Sequence, residues 1–295
     1  MILGALSVLI VLSNVVVVGL ICLNKTLRTY TNWLVLSLAV TDILTESMLF
    51  PIKLAKPSCV VEGYFVATIL TSGVINISAV TCDRFIAGMK PLQYPYLVPK
   101  FFKRGIAILW IVPAMYASVP LIWGADHSKT AHRVYLACLE LLGVVVPYIF
   151  ITAAYIRIFR QVRRSLALRK NLKSVSRQVY ERKRISSDAK VAKISCNVCL
   201  AFLFSWMPIL YMTTAFIRNR FHVVPDILPS VSLFTIATDS LVNPLLYAFL
   251  KPDFKMALRN LYQKSSKRCV KQQSIFIRSY HCKTIKEQHD TLACV

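Results

Sequence analysis

The amino-acid sequence predicts an all-α membrane protein: a bundle of seven transmembrane helices followed by a short amphipathic helix. Three observations carry that prediction. The 295 residues are 56% hydrophobic and only 17% charged, with a mean hydropathy of +0.56, where a soluble domain carries about 25% charged residues. Apolar runs recur at about 2–24, 31–52, 63–82, 105–125, 141–156, 194–217 and 227–250. Most approach or exceed the roughly 20 residues that a helix needs to cross about 30 Å of hydrocarbon. Finally, 30 of the 36 Lys and Arg fall in alternate loops and the C-terminal tail. Positive residues stay on the cytoplasmic side, which puts the N-terminus outside and the tail inside. The net charge of +23 is then a topology signal and a fringe for membrane lipids, not a nucleic-acid footprint.

The first run is too long for a signal-peptide core and reads as a span. Its lone amide, Asn14, faces other helices, because an unpaired amide in lipid is costly. The second run carries Asp42 and, one turn later, Glu46; intramembrane acids are rare and mark functional positions. Pro51 ends or kinks this helix near the outer face. The third run, 63–82, has 20 residues without a charge, opens after Cys59 and is closed by Asp83 and Arg84. As one helix it sets Cys59 and Arg84 about 37 Å apart, one at each face. The fourth has Trp110 inside and Trp123 at the outer edge, where an interfacial indole belongs.

The outer loop that follows holds Cys138, the only loop cysteine on that side apart from Cys59 at its helix head. Both face an oxidising compartment, which predicts a Cys59–Cys138 disulfide. The fifth run contains Pro147 and Tyr155 and then turns strongly basic. The sixth holds Phe202 and Trp206 on one face with Pro208 as a hinge; packing alone also accounts for such an aromatic pair. The seventh adds Asp239, Asn243, Pro244 and Tyr247. Residues 251–262 form an amphipathic helix, with Phe254, Leu258, Leu261 and Tyr262 toward lipid. The chain thus divides into a bundle with its amphipathic helix, 1–262, and a basic, disordered cytoplasmic tail, 263–295. No His, Cys and Asp cluster has metal-ligand or catalytic-triad spacing, so no enzyme, metal or cofactor is predicted.

These residues, in this order and spacing, resemble a rhodopsin-like (class A) G-protein-coupled receptor. The likeness covers about 1–262. It rests on Asn14, LSLAVTD ending at Asp42, Cys59 standing 25 residues before Arg84, DRF at 83–85, Trp110, Pro147, Tyr155, SWMP at 205–208 and NPLLY at 243–247. The resemblance implies a receptor in the plasma membrane that transduces an extracellular ligand to a heterotrimeric G protein, with arrestin and receptor kinases as further partners. It makes Arg84 the switch arginine, caged at rest by Asp83 and by Asp188 at the foot of the sixth span. A guanidinium has no neutral form and so requires those acids when buried. On activation the sixth span swings about Pro208 and Arg84 turns to Tyr155 and the partner. Val74, Pro147 and Phe202 match the relay triad, with Trp206 beside it. Leu92 matches the inner-loop hydrophobe that enters the G protein, and Asn243, Pro244 and Tyr247 complete the inner switch.

Asp42, Ser240 and Asn243 match the family's sodium site, so a sodium ion at Asp42 is the one ligand of that kind implied. Gly73 stands where a serine ligand is usual and Asp239 where an asparagine is usual. Two carboxylates facing one cavity share a proton or take a cation between them. By the same resemblance the ligand pocket is lined by Val66, Ala67, Leu70, Thr71, Ile209, Thr213 and Leu233. Val66 cannot grip an ammonium as the aspartate of aminergic receptors does, Ala237 replaces the opsin lysine, and Thr213 replaces the purine-binding asparagine. The apolar wall favours a hydrophobic or lipid-like ligand, while Glu62 and Glu140 lie nearer the rim, where they would meet a cation. A second reading is a constitutively active or non-signalling seven-span protein, a scavenger or a partner of other receptors. Arg84, Tyr155, Leu92 and Tyr247 favour the signalling form. Cys269, just past the amphipathic helix, fits a palmitoylation site.

Overall fold

A computed structural model describes residues 2–55, 60–124, 130–169, 200–250, 253–261 and 263. The chain divides into two units, Met1–Lys251 and Pro252–Val295. In the first, α1 spans Ile2–Leu23, α2 Tyr30–Ala55 and α3 Val60–Met89. The fourth, α4, spans Tyr94–Ser118 and tightens into a 3-10 turn over Val119–Trp123. It stops at Gly124, whose φ of 67° suits a residue without a side chain. Next come α5, Thr130–Glu140, a π turn over Leu141–Val145, and α6, Val146–Arg169. The unit ends with α7, Leu200–Ile217, and α8, Leu228–Leu250.

Among the described residues, five helical stretches are long and apolar enough to cross a membrane: Leu3–Leu23, Tyr64–Met89, Tyr94–Trp123, Thr130–Gln161 and Leu200–Ile217. The helices α2 and α8 carry the intramembrane acids yet have 26 and 23 residues, lengths of roughly 39 and 35 Å. Pro51 falls inside α2, which continues to Ala55; the proline does not end the helix.

The bundle is arranged for lipid outside and polar groups within. On α1, Val8, Leu9, Leu12, Val15 and Val16 are exposed, while Ser7, Ile10, Asn14, Val17 and Ile21 are buried. Those buried positions recur at helical spacing and form one face. That face packs on α2 and α8; α3 is the central helix, packed on α2, α4 and α6. The core of the inner half joins Leu38, Val74, Ile77, Val144, Ile151, Tyr155, Ile158, Phe202 and Trp206, drawn from α2, α3, the fifth span and α7. Trp110 Nε1 on α4 donates to Ser37 Oγ on α2 at 3.2 Å, so the indole found in the fourth run ties two helices together.

The fifth span departs from its expected outline. Helix begins at Thr130, eleven residues before the uncharged run. Glu140 bounds that run, but the helix extends beyond it and α5 buries His132 and Tyr135 on one side. There Tyr135 stacks on Tyr116 of α4 with centroids 5.4 Å apart and meets the Trp123 ring edge-on at 6.0 Å. Pro147 then explains the wide turn: without an N–H it cannot complete the regular ladder to the residue four before it. The π turn ends two residues ahead of it and takes up one extra residue.

The second unit shows α9 over 253–261. Its Leu258 and Leu261 are exposed, as a lipid-facing stripe requires, but Phe254 is buried and does not belong to that stripe.

Candidate functional site

The C-terminal end of α3 carries a closed polar network. Asp83 is buried. Its Oδ1 accepts a hydrogen bond from Tyr94 Oη at 2.7 Å and its Oδ2 one from Thr31 Oγ1 at 2.8 Å. Arg84 pairs with the same Oδ2 at 3.5 Å, with a fifth of its side chain exposed. Thr31 and Tyr94 also lie within 3.3 Å of each other. Three helices thus converge on one carboxylate: the first turn of α2, the end of α3 and the first residue of α4. A hydrogen bond to a carboxylate contributes about 1.5–3 kcal/mol, roughly twice a neutral one, so this acid is held more firmly than an ion pair with Arg84 alone would hold it. The sequence reading found Asp83 and Arg84 but missed Thr31 and Tyr94. Only the position of Tyr94 in PLQYP, two residues past Leu92, hinted at a role. Asp188, the second expected cage acid, lies outside the described residues.

Leu92 is 86% exposed on the turn between α3 and α4, free to meet another molecule. Tyr155 is buried beside Phe202 in the core. Of the relay residues, Val74, Phe202 and Trp206 share that core, with the Phe202 and Trp206 rings 5.7 Å apart and tilted by 45°. Pro147 is half-buried, and Val144, one turn outward, occupies the core in its place. Pro208 lies within α7. Thr235 Oγ1 of α8 donates to the Ser205 carbonyl at 2.9 Å. That bond joins α8 to the helix turn that carries Trp206 and was not legible in the sequence.

Halfway along the bundle Asp42 is buried and doubly bonded: Ser240 Oγ donates to Oδ1 at 3.0 Å and Asn243 Nδ2 to Oδ2 at 3.1 Å. Asn14 Nδ2 donates to the Ser240 carbonyl at 3.3 Å, so α1, α2 and α8 meet here. Asp239 is buried too. Among the described residues, Asp239 Oδ1 and Asn243 Oδ1 have no hydrogen-bond partner. Gly73 offers no oxygen, and a Cβ there would touch nothing within 4 Å. The acceptor atoms left over, all oxygen and partly anionic, fit a hard monovalent cation. Glu46 is engaged elsewhere, accepting from Ser7 Oγ of α1 at 2.7 Å. Pro244 is buried in α8; the side chain of Tyr247 lies outside the described residues.

Near the start of α3, Val66 and Leu70 line a shallow cleft with Ile69, Thr45 and Met48. Ala67, Thr71, Thr213 and Leu233 are half-buried. Leu70 and Ile209 pack on the core. Thr213 is not a free polar group, because its hydroxyl donates to the Ile209 carbonyl one turn below at 2.9 Å. Cys138 lies exposed on the third turn of α5 and not in a loop, because the helix starts earlier than the uncharged run. Cys59 and Cys269 lie outside the described residues.

A family model described as "7 transmembrane receptor (rhodopsin family)" matches residues 13–247. The chain is similar to the adenosine receptor A2b of Gallus gallus, 26% identical over 299 residues that cover 88% of this chain and 86% of that one. It is similar to the histamine H2 receptor of Homo sapiens, 26% identical, covering 88% and 78% of the two chains. Melanopsin of Homo sapiens is likewise 26% identical, covering 84% and 58%.

Proposed function

The chain belongs to the rhodopsin family of seven-transmembrane receptors, and on that premise we propose that it carries the binding of a largely apolar extracellular ligand to a heterotrimeric G protein through Arg84. The family is one of receptors, not enzymes, and its members are multi-pass membrane proteins that signal through G proteins. The observation that carries the finer reading is the Asp83 carboxylate, held at once by Thr31, Tyr94 and Arg84. An arginine at the inner end of the central helix, restrained by a single acid with other partners, is released when the helices around it separate. The core then links that end to the rest of the bundle, since Val74, Tyr155, Phe202 and Trp206 belong to one buried cluster. Leu92 and the inner surface of the bundle are the contact for the G protein. The test is complex formation between the full chain in nanodiscs and each class of heterotrimer, followed by dissociation on adding GTP. If no heterotrimer forms such a complex in any state, the reading fails.

The relatives named for adenosine and histamine do not supply the ligand. Val66 offers no carboxylate on α3, and Ala237 offers no lysine on α8. The half-buried lining of Val66, Ala67, Leu70 and Ile209 supports an apolar ligand body.

Tyr94→Phe deletes one of the two hydroxyls on Asp83 while keeping the ring. The expected result is basal nucleotide exchange raised several-fold at equal surface expression, since about 1 kcal/mol shifts a two-state equilibrium roughly fivefold. Basal exchange equal to wild type would remove Tyr94 from the cage.

At the middle of the bundle, Asp42, Asp239 and Asn243 are proposed to hold sodium, whose positive charge would offset the repulsion between the two acids. Thermal stability measured in sodium chloride and in choline chloride at equal ionic strength checks this. The receptor is expected to melt higher in sodium, and Asp42→Asn to lose the difference. A sodium effect that survives in Asp42→Asn would place the ion elsewhere.

A further inference from the structure

The outer part of the fifth span holds an acid that the signalling network leaves unused. Glu140 is the last residue of α5, directly above the π turn. Thr214 Oγ1 of α7 donates to its Oε1 at 2.5 Å. Its Oε2 is buried, and among the described residues it has no hydrogen-bond partner and no cation pairs with it. A carboxylate oxygen buried and unsatisfied costs more than a neutral one, and π turns are frequent at functional positions. Thr214 stands eight residues outward of Trp206, about 12 Å along the helix. One turn below Thr213 comes Ile209, which packs on the core. A half-satisfied carboxylate thus sits over an apolar floor, between the fifth span and α7.

We propose that Glu140 is the anchor for a protonated amine on the receptor's ligand, whose apolar body lies toward Ile209 and Thr213. The amine donates to Oε2 and displaces the Thr214 hydroxyl from Oε1. A charged donor is favoured over a neutral one because hydrogen bonds with both partners ionised are the stronger. The ammonium is therefore gripped from the fifth span, on the wall that Val66 of α3 leaves without a carboxylate. This inference rests on the receptor reading for its signalling consequence, but binding is measurable without it.

The experiment uses the full chain in nanodiscs and three probes that share one apolar body: 2-(2-naphthyl)ethylamine, 2-(2-naphthyl)ethanol and 3-(2-naphthyl)propionate. Binding is read from concentration-dependent thermal shifts. The amine is expected to bind about tenfold or more tighter than the alcohol, equivalent to about 1.4 kcal/mol, and the carboxylate not to bind. Glu140→Gln removes the amine's advantage. Thr214→Val retains it, since that variant takes away only the competing hydroxyl and also controls for damage to the fold. Equal binding of amine and alcohol, an amine preference that survives in Glu140→Gln or is lost in Thr214→Val, or no binding by any probe each overturns the proposal. Glu140-dependent amine binding with no heterotrimer engaged would instead overturn the signalling reading and leave the amine site standing.

Discussion

Arg84→Ala is expected to lower both basal and ligand-driven nucleotide exchange on the heterotrimer by about tenfold or more, the factor that follows from losing about 1.4 kcal/mol. The receptor itself survives the change. Asp83 keeps its bonds from Thr31 and Tyr94, so the cytoplasmic end of the bundle stays closed and surface expression stays near wild type. What is lost is a planar donor fork that stays charged at every accessible pH. Arg84→Lys keeps the charge and loses the fork, and it is expected to fall between the two. Full exchange by the alanine variant at matched expression would detach Arg84 from signalling.

Phe202→Ala is expected to destabilise the bundle by about 3–5 kcal/mol, the usual cost of emptying a large buried aromatic site. Phe202 is fully buried, and its ring touches residues from α3, the fifth span and α7. Removing it opens a void where the relay is densest, so the melting temperature and ligand-driven exchange fall together. Phe204, two residues away on the same helix, is 73% exposed. Phe204→Ala is the matched control and leaves melting nearly unchanged. An equal shift for the two variants would mean that the Phe202 core does not hold the bundle.

Much of this architecture was legible because a bilayer imposes strong rules on a chain. Hydrophobic length and the cost of unpaired amides and acids in lipid were enough to point Asn14 and Asp42 inward. Asp42, Ser240 and Asn243 were named together and meet in space. Partners across helices were harder to see. Thr31, Thr214 and Thr235 are ordinary threonines in sequence, and only helix packing brings them to Asp83, Glu140 and the Ser205 carbonyl. The start of the fifth span was misplaced for a related reason: a charge count stops at Glu140, while the helix carries on through it and turns His132 inward to the rings of Trp123 and Tyr135. Cys138 was assigned to a loop by the same error.

The wide turn at Leu141–Val145 puts the fifth span out of phase with itself. A ruler of 3.6 residues per turn laid along Ile158, Ala154 and Ile151, all buried, and carried outward past Gly143 points about 100° away from the true direction of every side chain beyond it. Any periodicity read from a substitution or labelling scan of this segment therefore needs two phase origins, one on each side of that glycine. With only one, the residues above the turn would be assigned to the wrong wall of the receptor.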